Sequence, residues 1–207
     1  MTSAENVPPL IGDEHGVYRI QIVGNSGAGK STTGIALSKM LGIPYISLDE
    51  IMFQPGWVQT SPEEFRAKLQ SLLDQSPQGW IVDGNYDKRG GLLAFERSTD
   101  VIWLDPPLIL YFPRLVLRTF LRLFRLAEPC SPGCFEKPSE VFFSKESIIW
   151  WCLSQHCVNR RRNRARMQEV GIGVGRIVEC QRMRRLGGWG SAVKKWLMDV
   201  EAMVKSR

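Results

Sequence analysis

Apolar residues fall along this chain in two rhythms, short dense runs and longer stretches with helical spacing, and the two alternate. The run Val17, Tyr18, Arg19, Ile20, Gln21, Ile22, Val23 alternates and ends apolar, as a buried strand does. Residues 33–41 then carry Ile35, Ala36, Leu37, Met40 and Leu41 at helical spacing. Residues 43–48 predict a short strand that ends at Asp49. Ser61, Pro62, Glu63 and Glu64 spell a helix start: a capping serine, a proline in the first turn and a glutamate at the capping-box position. That helix runs through Phe65, Leu69, Leu72 and Leu73. Residues 79–84 and 101–105 predict two further strands, the second stopped by Pro106 and Pro107. A helical stretch follows over 108–127, then a loop rich in Pro, Gly and Cys over 128–138. A second helical stretch, rich in Trp and Arg, covers 139–167. A last strand is expected at 175–179 and a closing amphipathic helix at 191–204. Strands separated by helices imply an α/β fold with a mostly parallel five-stranded sheet between helical layers. Pro8, Pro9 and Gly12 stand among mixed polar residues, so 1–16 predict a flexible arm and 17–207 a single domain.

The turn between the first strand and helix carries the chemistry. Gly24, Asn25, Ser26, Gly27, Ala28, Gly29, Lys30, Ser31 and Thr32 form a complete phosphate-binding P-loop in its required strand–loop–helix setting. Glycines there permit backbone angles that a side chain forbids, so the loop can turn its N–H groups inward as an anion nest. The helix start adds the positive end of its dipole. Lys30 would reach the β- and γ-phosphates of ATP, and Ser31 would hold Mg²⁺.

Composition narrows the setting. With 207 residues, the chain is long enough for one α/β domain with insertions. A formal net charge of +6 favours anionic partners, for which a phosphorylated substrate suffices. No stretch is apolar enough to span a bilayer. Five cysteines (130, 134, 152, 157 and 180) without an export-signal pattern point to reduced thiols and a cytoplasmic chain. Cys130, Cys134, His156 and Cys157 could in principle hold zinc, but lack the tight paired spacing of such sites.

Three predicted strands end in Asp: Asp49, Asp83 and Asp105. In a parallel sheet all three lie on the rim that binds ligands. Asp105, ahead of two prolines, reads equally as a turn residue. Asp49 and Asp83 suit a P-loop enzyme, which needs carboxylates near Mg²⁺ and the acceptor.

The P-loop, the Asp83-Gly84 turn and the segment from Val101 to Pro106 together resemble the adenylate kinase-like branch of P-loop kinases. More narrowly, Leu48-Asp49 with Pro55-Gly56-Trp57, and Trp80-Ile81-Val82-Asp83-Gly84-Asn85-Tyr86, resemble the small P-loop "topology modulation" proteins. Cys130 to Glu136, Trp150-Trp151 and Arg160-Arg161 follow in the same order. The resemblance covers residues 17–204. It implies a three-layer P-loop fold with a helical lid near 108–168 and a kinase activity. It implies that Asp83 helps order the magnesium shell and that Asp49 lies near the acceptor hydroxyl. Adenylate kinase-like enzymes follow Asp-Gly with a Phe-Pro-Arg grip on a monophosphate; here Asn85, Tyr86, Asp87, Lys88 and Arg89 stand instead, against a nucleoside monophosphate acceptor.

Arg114, Arg118 and Arg122 recur every fourth residue on one helix face, and Arg160, Arg161, Arg162, Arg164 and Arg166 form a second group. By the same resemblance Arg114 and Arg118 begin the lid and would close on the transferring phosphates, with Arg160 and Arg161 as further contacts. Phe53, Trp57, Tyr86 and Arg89 complete the expected substrate side. The stretch 108–126 also has the two-sided character of a membrane-surface helix, and the second arginine group that of a nucleic-acid contact. The sequence thus reads as a phosphotransferase using Mg-ATP on a small-molecule acceptor. The alternatives are a nucleoside monophosphate kinase and, from another class, a nucleic-acid-associated ATPase.

Overall fold

A computed structural model describes residues 7–136 and 147–206. Five strands form one parallel sheet: β1 (Tyr18–Gly24), β2 (Tyr45–Ser47), β5 (Gly79–Asp83), β6 (Asp100–Asp105) and β7 (Met183–Gly187). Their order across the sheet is β2-β5-β1-β6-β7, so β1 and its loop lie at the centre. Two very short strands, β3 (Phe53–Gln54) and β4 (Val58–Gln59), make a separate antiparallel hairpin.

Alternation along the strands sorts the core into two faces. Ile20 and Ile22 of β1, Ile81 of β5, and Ile102 and Leu104 of β6 point to one side. There they meet Leu37 of α1 (Lys30–Leu41), and Trp196 and Val200 of α7 (Ser191–Lys205). Trp80 and Val82 point to the other side. They pack against Phe65, Leu69 and Leu73 of α3 (Pro62–Asp74) and Ala94 of α4 (Leu92–Arg97). Val23, Val101, Trp103 and Met183 share that side with Val170 at the end of α6 (Ile148–Val170). Helices cover both faces, as buried parallel strands require. The Ser61 hydroxyl accepts from the Glu64 N–H at 3.2 Å, the cap expected for α3.

Two expectations change. The last strand is Met183–Gly187, not 175–179. Ile177 and Val178 are exposed, in a loop where the Gly175 N–H donates to the Gly171 carbonyl at 2.7 Å. The true strand is disguised by Arg184 and Arg185 between buried Met183 and Leu186. Arg184 donates to the Pro8 carbonyl at 2.7 Å, and Arg185 stacks over Trp103. The second change is at the amino end, where residues 7–16 are docked rather than loose. Leu10 is buried, the Ile11 and Gly12 N–H groups donate to the Asp100 carboxylate at 2.7 and 3.0 Å, and Trp196 donates to the Pro9 carbonyl. The rest of the expected arm, residues 1–6, lies outside the described residues, as do 137–146 within the expected loop and second helical stretch.

Both expected helical stretches contain a helix: α5 (Leu108–Leu123) and α6. They pair through Tyr111 and Leu115 of the first and Ile148 and Cys152 of the second.

Candidate active site

The P-loop spans the gap between β1 and α1 at the carboxyl end of the sheet. Gly24, Gly27 and Gly29 all take positive φ. At Gly27 space is the second reason for glycine, because a Cβ would sit 2.9 Å from the Tyr111 carbonyl oxygen of α5. The loop is anchored at its first two residues. Asn85, after β5, accepts from the Gly24 N–H at 3.3 Å and donates to the Gly24 carbonyl at 2.6 Å. Asn25 is buried and donates through Nδ2 to the Tyr111 hydroxyl and the Cys152 carbonyl, both at 2.9 Å. Its Oδ1 accepts from the Ser26 N–H at 3.0 Å and from Asn159 at 3.4 Å. The cradle is thereby fixed to β5, α5 and α6 before any ligand is considered. Lys30 Nζ reaches back over the loop to the Asn25 carbonyl at 3.5 Å.

At the ends of the neighbouring strands the carboxylates gather. Asp83 is buried and accepts from the Tyr45 hydroxyl at 2.5 Å. The Ser31 hydroxyl lies against the same phenol. Burial, reinforced by the Asp83 charge, pushes the Tyr45 phenol above its usual range, so it stays a neutral donor. Tyr45 can lie there because Gly34 faces it across α1; a Cβ on Gly34 would be 2.5 Å from the Tyr45 ring. Ser31 and Asp83 present only oxygen atoms, the chemistry a hard divalent cation such as Mg²⁺ prefers, with Tyr45 orienting the carboxylate.

Asp49 sits in α2 (Leu48–Met52), just past β2. One carboxylate oxygen accepts from the Tyr86 hydroxyl at 2.6 Å; the other accepts from the Cys130 thiol at 3.6 Å. Tyr86 is held in turn by Phe65, with ring centroids 5.6 Å apart. Burial and then the Asp49 charge raise the Tyr86 phenol above its usual range. The same two causes push the Cys130 thiol up to about 12. Sequence reasoning named Tyr86 but missed Cys130 as a partner of Asp49. It also missed Asn85 and Asn25 as anchors of the loop; only their position beside Gly24 and after Asp83-Gly84 could have flagged them.

The expected arginines divide. Arg118 turns inward on α5, in the field of Asp49, Glu136 and Cys130, with Arg122 beside it; its Nε is buried and makes no hydrogen bond. Burial, with Arg122 second, holds its guanidinium below the usual range. Arg114 is exposed on the same helix. Arg160 is engaged elsewhere, with Nε 2.9 Å from the Asp105 carboxylate that Arg185 also binds at 2.6 Å. Asp105, the last residue of β6, is therefore an ion-pair anchor. Arg161 is exposed, while Arg162 and Arg166 pair with Asp87 at 2.8 and 3.3 Å. Arg89 donates to the Thr60 carbonyl and the Gln59 side chain, which fastens it to the β3–β4 hairpin. Phe53 and Trp57 pack edge to face at 5.3 Å in that hairpin, and Trp57 donates to the Phe135 carbonyl. The Phe53 N–H donates to the Asp49 carbonyl, so the hairpin starts one turn from that carboxylate.

The cysteines do not converge. Cys134 donates to the Gln54 carbonyl, Cys157 is exposed, and His156 meets the Tyr111 hydroxyl at 2.6 Å. Among the described residues no group of three or more His, Cys, Asp or Glu is placed to hold a metal ion, and no helix is long and apolar enough to cross a membrane.

No protein-family model matches the sequence. The pentafunctional AROM polypeptide of Schizosaccharomyces pombe is 26% identical over 116 residues, which is 49% of this chain and 7% of that polypeptide. The chain thus matches only a small part of that relative's length. Among solved structures, shikimate kinase from Acinetobacter baumannii, in complex with shikimate, superposes with a TM-score of 0.50 at 16% identity, covering 92% of this chain and 95% of that one. Shikimate kinase from Bacteroides thetaiotaomicron gives 0.49 at 16% identity, covering 90% and 97%. A gluconokinase from Sinorhizobium meliloti gives 0.45 at 15%, covering 90% and 93%. The first of these shares the α/β fold of this chain, a parallel five-stranded sheet covered by helices.

Proposed function

We propose that this chain is a phosphotransferase that moves the γ-phosphoryl group of magnesium-bound ATP to a hydroxyl of a small-molecule acceptor. The observation that carries the reading is the setting of Asp49. Its carboxylate stands on the P-loop rim of the sheet, with Tyr86 and Cys130 each donating to one of its oxygens. A carboxylate so fixed can orient an acceptor hydroxyl and take its proton as the oxygen attacks phosphorus.

The remaining parts follow from the same geometry. The P-loop would cradle the phosphates with those of its N–H groups that Asn25 and Asn85 do not take, and Lys30 would stand beside the β–γ bridge. Ser31 and Asp83 would hold Mg²⁺, which when bound neutralises charge on the phosphate oxygens. Arg118 has an unused buried donor in the field of Asp49, and we assign it to the charge that develops on the transferred group. Arg114, exposed on the same helix, and Arg161 would join only if the helices close over the nucleotide. Phe53, Trp57 and Tyr86 would wall the acceptor side. Tyr86 replaces the monophosphate grip of adenylate kinase-like enzymes, which favours a smaller hydroxylated acceptor over a nucleotide. The fold shared with a shikimate kinase supports the kinase class.

The test is a transfer assay with labelled ATP over a panel of hydroxylated metabolites and nucleoside monophosphates. A labelled product is expected with one acceptor class. Asp49→Asn should lower transfer by about a hundredfold or more with ATP affinity unchanged, whereas Lys30→Ala should remove both. Undiminished transfer in Asp49→Asn, or ATP hydrolysis stimulated by DNA or RNA in place of transfer, would refute the reading.

A further inference from the structure

His156 takes no part in the transfer chemistry above, yet a chain of hydrogen bonds joins it to the P-loop. Its Nδ1 lies 2.6 Å from the Tyr111 hydroxyl, and Asn25 Nδ2 lies 2.9 Å from the same oxygen. Proton positions along this chain follow from the partners at its far end. Asn25 must present Oδ1 to the Ser26 N–H and Nδ2 to the Cys152 carbonyl, because the reversed amide would set donor against donor and acceptor against acceptor. The Tyr111 oxygen therefore accepts from Asn25, and its own proton goes to His156. Nδ1 can receive that proton only when it carries none, so the imidazole is neutral with its hydrogen on Nε2.

The surroundings hold it in that form. The charged side chains lining the small cavity beside it are Asp105, from the end of β6, and Arg160, one turn further along α6. These two pair at 2.9 Å, and Asp105 also takes Arg185 of β7 at 2.6 Å. Asp105 is thus already matched by two guanidinium groups and offers little to an imidazolium. From α5 the facing group is the Tyr111 phenol; one turn earlier on α6 stands the Cys152 thiol, which burial keeps protonated. The P-loop brings uncharged Asn25 and Ala28. Burial, with Arg160 second, lowers the His156 pKa from its ordinary value, against a smaller pull from Asp105.

Protonation would be felt at the loop. An imidazolium brings an N–H to the Tyr111 oxygen and turns the phenol proton towards the Asn25 amide, donor against donor. Asn25 would then lose its hold on α5, and the Ser26 N–H its fixed partner.

We propose that His156 is a positioning residue for the P-loop: in its neutral form it holds Tyr111, and through Tyr111 the Asn25 side chain, in the arrangement that grips the nucleotide phosphates. The inference rests on the proposed nucleotide site and not on the identity of the acceptor.

Calorimetry of the full chain with a magnesium-bound, non-hydrolysable ATP analogue tests it. The unaltered chain should bind tightest at the alkaline end, and lose up to about tenfold in affinity for each pH unit below the His156 pKa as one proton is taken up. His156→Leu cannot accept the phenol proton and should bind about tenfold more weakly even at neutral pH. His156→Asn offers an amide oxygen in the place of Nδ1, so it should recover most of that loss and lack the added acid fall. The analogue's own phosphates titrate alike in all three chains, which makes the difference between chains the readout. Imidazole nitrogen NMR gives a second one, since the chain's other histidine, His15, is exposed. His156 should show a bare Nδ1 at neutral pH and titrate at lower pH than His15. A hydrogen on Nδ1, or an equal acid fall in His156→Asn, would overturn the inference and leave the nucleotide site standing. No affinity at any pH would overturn the nucleotide site and this inference with it.

Discussion

At the scale of single residues, the contact between Asp49 and Cys130 makes a directly measurable claim. Burial and the neighbouring carboxylate hold the thiol at about 12, so at pH 8 almost none of it is thiolate, the reactive form. Exposed Cys157 and Cys180 should therefore react with iodoacetamide well before Cys130. Asp49→Asn removes the charge but little of the bulk, and leaves Arg118 and Arg122 to favour the thiolate. Alkylation of Cys130 should then quicken by about tenfold, followed by peptide mass mapping. An unchanged rate would mean that the carboxylate and thiol do not meet. Sequence alone placed Asp49 and Asp83 at strand ends, and the structure has Asp83 at the end of β5 and Asp49 just past β2. Sequence did not show that Arg160 is committed to Asp105, since which of five crowded arginines finds an acid depends on helix rotation.

At the scale of elements, α1 contains a glycine that ordinary helix rules would replace. Alanine in a helix interior is favoured over glycine by about 1 kcal/mol. At Gly34 the added Cβ would be 2.5 Å from the Tyr45 ring, which is tied by its hydroxyl to Asp83. Gly34→Ala should therefore lower stability by about 1–3 kcal/mol in chemical denaturation, and weaken Mg-ATP binding in calorimetry as Tyr45 is pushed off Asp83. A more stable variant with full affinity would show that the ring moves freely. The strand–helix alternation was legible because buried parallel strands are nearly continuous apolar runs. β7 escaped notice for the complementary reason: its arginines serve an ion pair and a carbonyl at the sheet edge, so it lacks the composition of a core strand.

At the scale of the whole molecule, the amino-terminal segment behaves as part of the fold. Asp100, at the start of β6, is buried and takes its hydrogen bonds from the Ile11 and Gly12 N–H groups and from Thr99. Removing residues 1–12 would strip two donors from a buried carboxylate and uncover the site of Leu10. Stability should fall by roughly 3–5 kcal/mol in urea, and a truncated chain as stable as the full one would contradict the docking. Two prolines and a glycine hid this segment from sequence reading, since Val7, Leu10 and Ile11 are too few to set a period.

The clamp of Asn85 on Gly24 reaches further than anchoring. One amide side chain holds the first residue of the nucleotide cradle, and the next residue along, Tyr86, holds Asp49. On the proposed function, donor and acceptor recognition would therefore share two adjacent positions of a single turn. Redirecting this scaffold to a new acceptor by rewriting that turn would retune its grip on the triphosphate as well, so specificity here is inherited as a package rather than assembled from interchangeable halves.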